Sequence, residues 1–267
     1  MIDTNFNDFT FKEYNIIIKK ISESFNIINH LDLYYNFDHF HSSDRRYLIL
    51  RHDVDFSVDR ALEIAKIEAK YGVFSTYFFL FHSDFYNIFE KDSFNKIRQI
   101  IKMGHEIALR FDTIFYGVLD EIILEKMLIF ERDILSNLFN VEIKVFSLHN
   151  PNPDIHNYNK YTLDELSKLY PQYFKDFIAG MVNTYGSIFR KIDYISDSNG
   201  FWRYRHINEI IYDEKVKIIQ VLIHPEWWVK YPASPRKRVS NILKYRSKRI
   251  MKDYDNFLKL IKRENIR

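Results

Sequence analysis

Residues 47–80 read YLILRHDVDFSVDRALEIAKIEAKYGVFSTYFFL, and three patterns follow one another within this stretch. The apolar run 47–51 is typical of a buried strand, and residues 59–71 carry apolar side chains at helical spacing before Gly72 ends the helix. The next run, 73–80, is rich in β-branched and aromatic residues and predicts a second strand. The order strand, helix, strand is that of a βαβ unit, so we expect the two strands to be parallel.

The same alternation continues toward the C-terminus. Further strands are predicted at residues 106–111, 143–149, 177–181, 194–196 and 217–224. Helices are predicted between them, at residues 94–102, 120–137, 162–170 and 207–212. Strands that alternate with helices imply a mostly parallel sheet, and the economical arrangement is α/β, a distorted, incomplete (β/α)7-type barrel.

The segment before the first strand is expected to be helical. Thr10 and Glu13 have the spacing of a capping box, and apolar positions at helical spacing begin at Tyr14. A chain of 267 residues has the ordinary size of one barrel domain. We expect one domain in three parts: an N-terminal helical segment packed on the barrel (1–46), the barrel (47–230) and a basic C-terminal helix (231–267).

The composition excludes several kinds of site. The chain has no cysteine, so disulfides, thiolate ligands and a cysteine nucleophile are excluded, and any metal must be held by oxygen and imidazole. The sequence does not open with a basic segment followed by an apolar one, and no apolar run is long enough to cross a membrane. We therefore expect a cytoplasmic protein.

Charge is distributed unevenly along the chain. Residues 234–267 hold twelve Lys and Arg against three Asp and Glu, so the formal charge of +3 leaves the preceding residues at −6. This basic helix either packs through its apolar stripe or makes a peripheral contact with an anionic membrane. No base-reading motif or interleaving of aromatic and basic residues accompanies it, so we expect no nucleic-acid partner.

Ionisable side chains follow five of the seven predicted strands. In a parallel barrel the carboxyl ends of the strands surround one mouth, so residues that follow different strands converge there. These strand ends contain residues 51–55, 110–112, 149–151, 197–199 and 224–228. The mouth is therefore the predicted site of any chemistry.

Each of these signals has a structural interpretation as well as a functional one. The pair Asp53 and Asp55 either caps the next helix or supplies one base and one ligand for a divalent cation. His224 is either a structural histidine or a general acid, since its ordinary pKa lies near neutrality. The aromatic faces either pack on the barrel or stack against sugar rings; they belong to Trp202, Trp227 and Trp228.

Taken together, these segments resemble the polysaccharide deacetylases, carbohydrate esterase family four, in particular a bacterial branch whose first motif reads Arg-His-Asp-Val-Asp. The matching segments are residues 50–57, 72–78, 104–109, 146–149, 196–203 and 222–225. The resemblance implies a distorted barrel that hydrolyses an N-acyl group from an amino sugar with the help of a divalent metal, usually zinc.

The resemblance also implies roles for individual residues. Asp53 would be the general base, Asp55 a metal ligand and His224 the general acid. Contacts with a carbohydrate substrate are expected from Asp197, Trp202, Arg203, Trp227 and Trp228. His105 is placed at a strand start, away from the mouth, and is expected to be structural.

The chain departs from the family at the metal-binding histidines. The register set by Gly104 places Arg110 and Ile114 where the family has two histidines four residues apart. Three outcomes follow. A metal is rebuilt on Asp55, Asp112 and His149; or Arg110 replaces the metal as an electrophile; or hydrolysis is lost and the site only binds a sugar.

The sequence thus predicts a hydrolase that removes an acetyl or formyl group from an amino sugar or sugar-nucleotide intermediate in surface polysaccharide biosynthesis. The alternative is a degenerate deacetylase-like protein that binds a carbohydrate without hydrolysis. The evidence for that alternative is that Arg110 and Ile114 stand where the family has its two metal-binding histidines.

Overall fold

The computed structural model describes residues 6–154, 156 and 160–266. Within these residues the chain forms nine strands and ten α-helices. The strands are β1 (Asn26–Ile27), β2 (Tyr47–Val54), β3 (Thr76–Leu80), β4 (Glu106–Phe111), β5 (Val145–Leu148), β6 (Phe177–Ile178), β7 (Met181–Asn183), β8 (Asp193–Ser196) and β9 (Ile218–Ile223). The helices are α1 (Phe11–Ser24), α2 (His30–Tyr35), α3 (Phe37–His41), α4 (Val58–Lys70), α5 (Lys91–Lys102), α6 (Thr113–Tyr116), α7 (Glu121–Phe139), α8 (Leu163–Leu169), α9 (Ile207–Tyr212) and α10 (Pro235–Leu260).

The strands form one sheet in the order β6-β7-β5-β4-β3-β2-β9-β8, and β1 pairs with β2. All neighbours are parallel except β6 and β7, which form an antiparallel pair. In the described part of the chain the two ends of this order, β6 and β8, do not pair with each other, so the barrel is incomplete. The predicted fold class is confirmed.

Side chains of the central strands alternate between two faces, because successive residues of a strand point to opposite sides. In β2 all eight residues are buried. Leu48 and Leu50 belong to the large core shared with α1 and α4, while Tyr47 and Ile49 belong to a second cluster inside the barrel. Continuing this alternation places Arg51 on the inner face.

The N-terminal segment covers the barrel in two ways. Helix α1 begins after Thr10, whose side chain accepts a hydrogen bond from the backbone N–H of Glu13, and it buries an apolar face against the outer core. Helix α2 lies inside, where His30 contacts Thr76 and Gln220 of two strands. No helix in the described ranges is long and apolar enough to span a bilayer.

Two parts of the sheet differ from the sequence prediction. The predicted strand 177–181 is a hairpin, because Ala179 and Gly180 have φ of 54° and 78° and turn the chain between β6 and β7. Only residues such as glycine adopt this region easily, so the Ala179–Gly180 pair marks a turn that the apolar run concealed. The two-residue strand β1 is too short to leave a pattern in the sequence.

Candidate active site

Three polar side chains lie at the mouth of the barrel because they occupy inward-facing positions at the ends of their strands. Asp53 follows Arg51 on the inner face of β2, and Arg110 occupies the inner face of β4, two residues after the buried Ala108. His224 continues the inner face of β9 beyond Leu222. The period of two therefore brings groups from separate strands to one place, as the strand-end rule predicts.

Asp53 is fully buried between two arginines. Its oxygens accept hydrogen bonds from Nε and Nη2 of Arg51, both at 2.9 Å, and its Oδ2 lies 2.5 Å from Nη1 of Arg110. Burial raises the pKa of Asp53, but the charges of Arg110 and Arg51 lower it by more, so the net shift is downward. Asp53 is therefore a stably ionised carboxylate.

Asp55 lies just beyond the strand and shares Arg110 with Asp53. Nε of Arg110 is 2.9 Å from Asp55 Oδ1, and Nη2 is 3.4 Å from Oδ2. The same Oδ2 is 4.0 Å from Nε2 of His149 and 4.0 Å from Nε2 of His224. Burial raises the pKa of Asp55, but Arg110 and the two histidines lower it to a net downward shift. Two imidazoles thus face one carboxylate.

His224 is held from behind by a buried carboxylate. Asp197 Oδ1 is 2.8 Å from His224 Nδ1 and also accepts the backbone N–H of His224 at 2.8 Å. Asp197 Oδ2 accepts the indole N–H of Trp228 at 2.8 Å. Burial lowers the pKa of His224, but the hydrogen bond and charge of Asp197 raise it by more, to about 9. The imidazolium form is therefore favoured at neutral pH, with Nε2 directed toward Asp55.

His149 forms a second, looser pair with a carboxylate. Its Nδ1 is 3.4 Å from Oδ1 of Asp112, and its side chain is 30% exposed, against 10% for His224. Asp112 Oδ1 also caps α6 by accepting the backbone N–H groups of Ile114 and Phe115. Burial raises the pKa of Asp112, and His149 together with these N–H groups lowers it to a net downward shift.

The predicted metal ligands do not form a set that fits a divalent cation. Both oxygens of Asp55 are engaged by Arg110, and the near oxygen of Asp112 is engaged by the helix cap. The residues that the structure describes include no group of three His, Cys, Asp or Glu side chains arranged to hold a metal ion. Zinc on Asp55, Asp112 and His149 stays a prediction that requires these side chains to rearrange.

A cavity of about 330 Å³ opens at this cluster. Its wall combines the ion pairs with hydroxyl, aromatic and guanidinium groups, namely Asp53, Arg110, His149, Tyr185, Tyr194, Ser196, Ser198, Arg203, Tyr204, Leu222 and His224. A neighbouring cavity of about 560 Å³ shares Tyr185, Tyr194 and Tyr204 with it. Two cavities that lie against α10 are larger than the 330 Å³ cavity. The ion pairs around Asp53 and Arg110, however, line the 330 Å³ cavity.

Of the residues predicted to contact substrate, some line the cavity and others are buried away from it. Arg203 lines the cavity, whereas Asp197 is fully buried behind His224 and does not reach it. Trp228 is also fully buried, with its ring 4.7 Å from that of Tyr14, and Trp202 packs 6.1 Å from Trp228. The Trp228 indole N–H donates to Asp197, and core side chains pack against its ring, so sugar stacking by Trp228 stays a prediction that requires this packing to open.

Trp227 is placed away from the cluster. Its side chain is buried and lines a separate cavity beside the start of α10, together with Asn199. Trp227 is not among the residues that line the cavity at His224. His105 is structural as predicted: it lies 2.9 Å from the Ser75 hydroxyl and 3.1 Å from the Ala65 carbonyl.

Several residues of the site escaped the sequence prediction. Arg51 belongs to the first strand-end segment, but the sequence assigned it no role, because the predicted strand stopped at residue 51 and did not show that Arg51 and Asp53 share the inner face of β2. Tyr185 and Tyr204 lie in connections whose course the pattern does not define. Glu226 is buried next to this cluster, and burial and the charge of Asp55 raise its pKa. The sequence signal that could have identified Glu226 was its position directly after Pro225 in the strand-end segment 224–228.

Comparison with known proteins adds little to this geometry. No protein-family profile matches the sequence. No curated protein matches it either. Among solved structures, a Streptococcus pyogenes deacetylase, PplD, in complex with acetate is similar over 86% of this chain and 85% of its own, with 11% sequence identity and a TM-score of 0.42. At that level of likeness the functional argument depends on the residues of this chain.

Proposed function

We propose that the protein is an amidohydrolase that removes an acetyl or formyl group from an amino sugar or sugar-nucleotide intermediate in surface polysaccharide biosynthesis. The observation that carries the proposal is the pair formed by Asp197 and His224. A buried carboxylate raises the pKa of an imidazole whose other nitrogen faces the cavity, which is the arrangement of a general acid. Departure of an amine from an amide requires such a proton donor.

The position of His224 on the cavity wall supports its role as the acid. Nε2 of His224 and Oδ2 of Asp55 are 4.0 Å apart at the cavity wall, which leaves the proton of Nε2 available to a bound amide nitrogen. Asp197 fixes the tautomer because it occupies Nδ1. As the water oxygen bonds to the acyl carbon, the base would take one proton from that water, and His224 would give its proton to the amine nitrogen as the C–N bond breaks. The protonated base would then return its proton, directly or through solvent, to the neutral His224.

Two groups compete for the role of base. Asp53 is the base implied by the family resemblance, but Oδ2 is engaged by both arginines and Oδ1 accepts from Arg51, which leaves water one lone pair of Oδ1. His149 is the more accessible proton acceptor, with Nε2 4.0 Å from Asp55 Oδ2 and a position on the cavity wall. Comparing variants of the two residues separates these roles.

The cavity wall suits a sugar better than a linear acyl amide. Tyr185, Tyr194 and Tyr204 present aromatic rings and hydroxyls, and Arg203 adds a cation able to bind a phosphate or carboxylate. The two adjoining cavities together have room for more than one ring. These features support a carbohydrate carrying an anionic group as the substrate.

The test is release of acetate or formate from a panel of N-acylated amino sugars and their nucleotide derivatives. We expect turnover by the wild-type protein and a fall of about 100-fold to 10,000-fold in kcat for His224→Gln. The matched control is His41→Gln, on the exposed part of α3, which should keep full activity. Equal rates for wild type and His224→Gln would exclude His224 as the acid, and equal rates for Asp53→Ala would exclude Asp53 as the base.

A second candidate function is carbohydrate binding without hydrolysis. It is favoured by the hydrogen bonding of Arg110, whose guanidinium nitrogens all have acceptors within the protein, so none is left to stabilise an oxyanion. Calorimetric titration with the same sugars distinguishes the two functions. Binding that Tyr204→Ala weakens, with no acyl release by the wild type, would establish the binding function.

A further inference from the structure

The position of Arg110 suggests what neutralises the two carboxylates at the mouth. We propose that its guanidinium is the permanent cation of this site, occupying the place where the family resemblance puts a divalent metal. The pair Asp53 and Asp55 then works without a bound metal ion. This inference goes beyond the proposed function and does not depend on whether the protein hydrolyses its ligand.

The guanidinium bridges the two carboxylates directly. Nη1 is 2.5 Å from Asp53 Oδ2, and Nε is 2.9 Å from Asp55 Oδ1. The side chain is 4% exposed, so these ion pairs are shielded from water. A cation that contacts two carboxylates, one at the end of β2 and one just beyond it, performs the charge-neutralising part of a metal ion's role.

The remaining N–H groups are satisfied by β5 and the residue after it. Nη1 lies 2.9 Å from the carbonyl oxygen of Leu148 and 3.2 Å from the hydroxyl of Ser147, and Nη2 lies 3.3 Å from the carbonyl oxygen of His149. A buried charge is stable only when its donors are matched in this way. The site is built to hold a guanidinium, whose planar fork the two strands accommodate.

The charges of the two carboxylates are already balanced without a metal ion. Asp53 and Asp55 carry two negative charges, and Arg51 and Arg110 carry two positive ones within hydrogen-bonding distance. A divalent ion added to this cluster would lie against Arg110 in a site of low dielectric, where like charges repel strongly. Metal uptake would therefore require Arg110 to leave.

The first experiment measures metal binding by the wild-type protein. The purified, untagged protein is dialysed against a chelator and titrated with Zn²⁺ by calorimetry, and its metal content is read by elemental mass spectrometry before and after. We expect no site-specific uptake and no change in the melting temperature on chelation. Uptake of one equivalent that Asp55→Asn abolishes would overturn the proposal, whether or not the protein deacylates sugars.

The second experiment restores a ligand in place of the cation. In Arg110→His the two carboxylates lose their bridging charge and gain an imidazole, so we expect uptake of about one equivalent of Zn²⁺. Adding Asp55→Asn should remove it, and Arg98→His, on the exposed face of α5, is the matched control that should bind none. A folded Arg110→His protein that takes up no Zn²⁺ would show that Arg110 does not occupy a cation position. Should this variant not fold, the wild-type titration decides alone.

Discussion

Asp53 and Asp55 have different surroundings although a single residue separates them. Asp53 is completely buried and is bound by Arg51 and Arg110, while Asp55 lies past the strand end and faces two imidazoles. The sequence predicts a strand that ends at residue 51, so it does not reveal that Arg51 and Asp53 lie on the same face. The observed strand β2 runs to Val54, and its alternation then places both side chains on the inner face.

Replacing Asp197 tests the origin of the His224 pKa. In Asp197→Asn the carboxylate that raises the pKa is lost while the shape is kept, so we expect the value to fall from about 9 toward 6.5. The measurement is an NMR titration of the His224 imidazole, which needs no substrate. An active enzyme should also lose activity at a correspondingly lower pH.

The control for this experiment keeps the carboxylate. Trp228→Phe removes the indole N–H that Asp197 Oδ2 accepts, together with part of a buried ring, but it leaves the Asp197 charge beside His224, so the pKa of His224 should stay well above that in Asp197→Asn. The raised pKa of His224 also determines how this group contributes to stability at different pH. A raised pKa stabilises the folded protein fully below pH 6.5, and this contribution is lost as the pH rises through 9. An unchanged His224 titration in Asp197→Asn would contradict the assignment.

At the scale of elements, β2 and α4 are joined by a polar cluster on the outer face. Glu68 of α4 is fully buried and accepts hydrogen bonds from the hydroxyls of Tyr14, Ser75 at 2.7 Å and Tyr77 at 2.7 Å. Nε2 of His52 lies 2.7 Å from its Oε1. The carboxylate therefore connects α1, β2, β3 and α4, and it lies behind the strand that carries Asp53.

We expect Glu68→Ala to destabilise the protein by about 3–5 kcal/mol, because several buried polar groups lose their shared partner. Urea unfolding at pH 7 measures the change. Glu63→Ala is the matched control on the same helix, since its side chain is 50% exposed, and it should change stability by less than about 0.5 kcal/mol. Equal effects of the two substitutions would show that the cluster does not stabilise the fold.

The same cluster predicts sensitivity to acid. Burial raises the pKa of Glu68, but His52, the nearby hydroxyls and His105 lower it by more, to about 2. A lowered pKa stabilises the folded protein above pH 4.5, and this contribution is lost as the pH falls toward 2. The difference in unfolding free energy between wild type and Glu68→Gln should therefore be smaller at pH 3 than at pH 7.

At the scale of the whole molecule, the sequence was sufficient for the order of the long strands and helices and for the location of the mouth, but not for the short elements such as β1, α2 and the β6–β7 hairpin. Alternating runs predict parallel strands, and parallel strands bring their carboxyl ends together, so Asp53, Arg110, His149 and His224 could be grouped without a structure. The partners within the group could not be assigned. Which atom of Arg110 meets which carboxylate depends on the register of β2 against β3 and of β3 against β4, which hydrophobic periodicity does not determine.

The C-terminal helix α10 contacts the rest of the molecule through one side, where Arg249 forms ion pairs with Glu90 and Asp92. Its buried residues in the described chain are Arg238, Ile242 and Leu258. Apolar side chains that remain exposed recur at helical spacing along it and beyond its end, at Leu243, Ile250, Tyr254, Phe257 and Ile261. Exposed lysines lie on the other side of the helix, at Lys244, Lys248, Lys252 and Lys259. An apolar stripe opposite a lysine-rich polar face is the pattern of a helix that lies in the surface of an anionic bilayer.

We therefore expect the protein to sediment with vesicles that contain phosphatidylserine at low salt, and not with phosphatidylcholine vesicles, because the lysines supply the attraction and the apolar stripe inserts. Phe257→Asp should reduce the bound fraction by removing insertion, and Lys248→Glu by removing charge. Ile122→Asp is the matched control, since this side chain is 80% exposed on α7 and should leave binding unchanged. Raising the salt concentration should release the wild type, because screening weakens surface charge attraction. No binding to phosphatidylserine vesicles at low salt would mean that the exposed stripe has another partner or none.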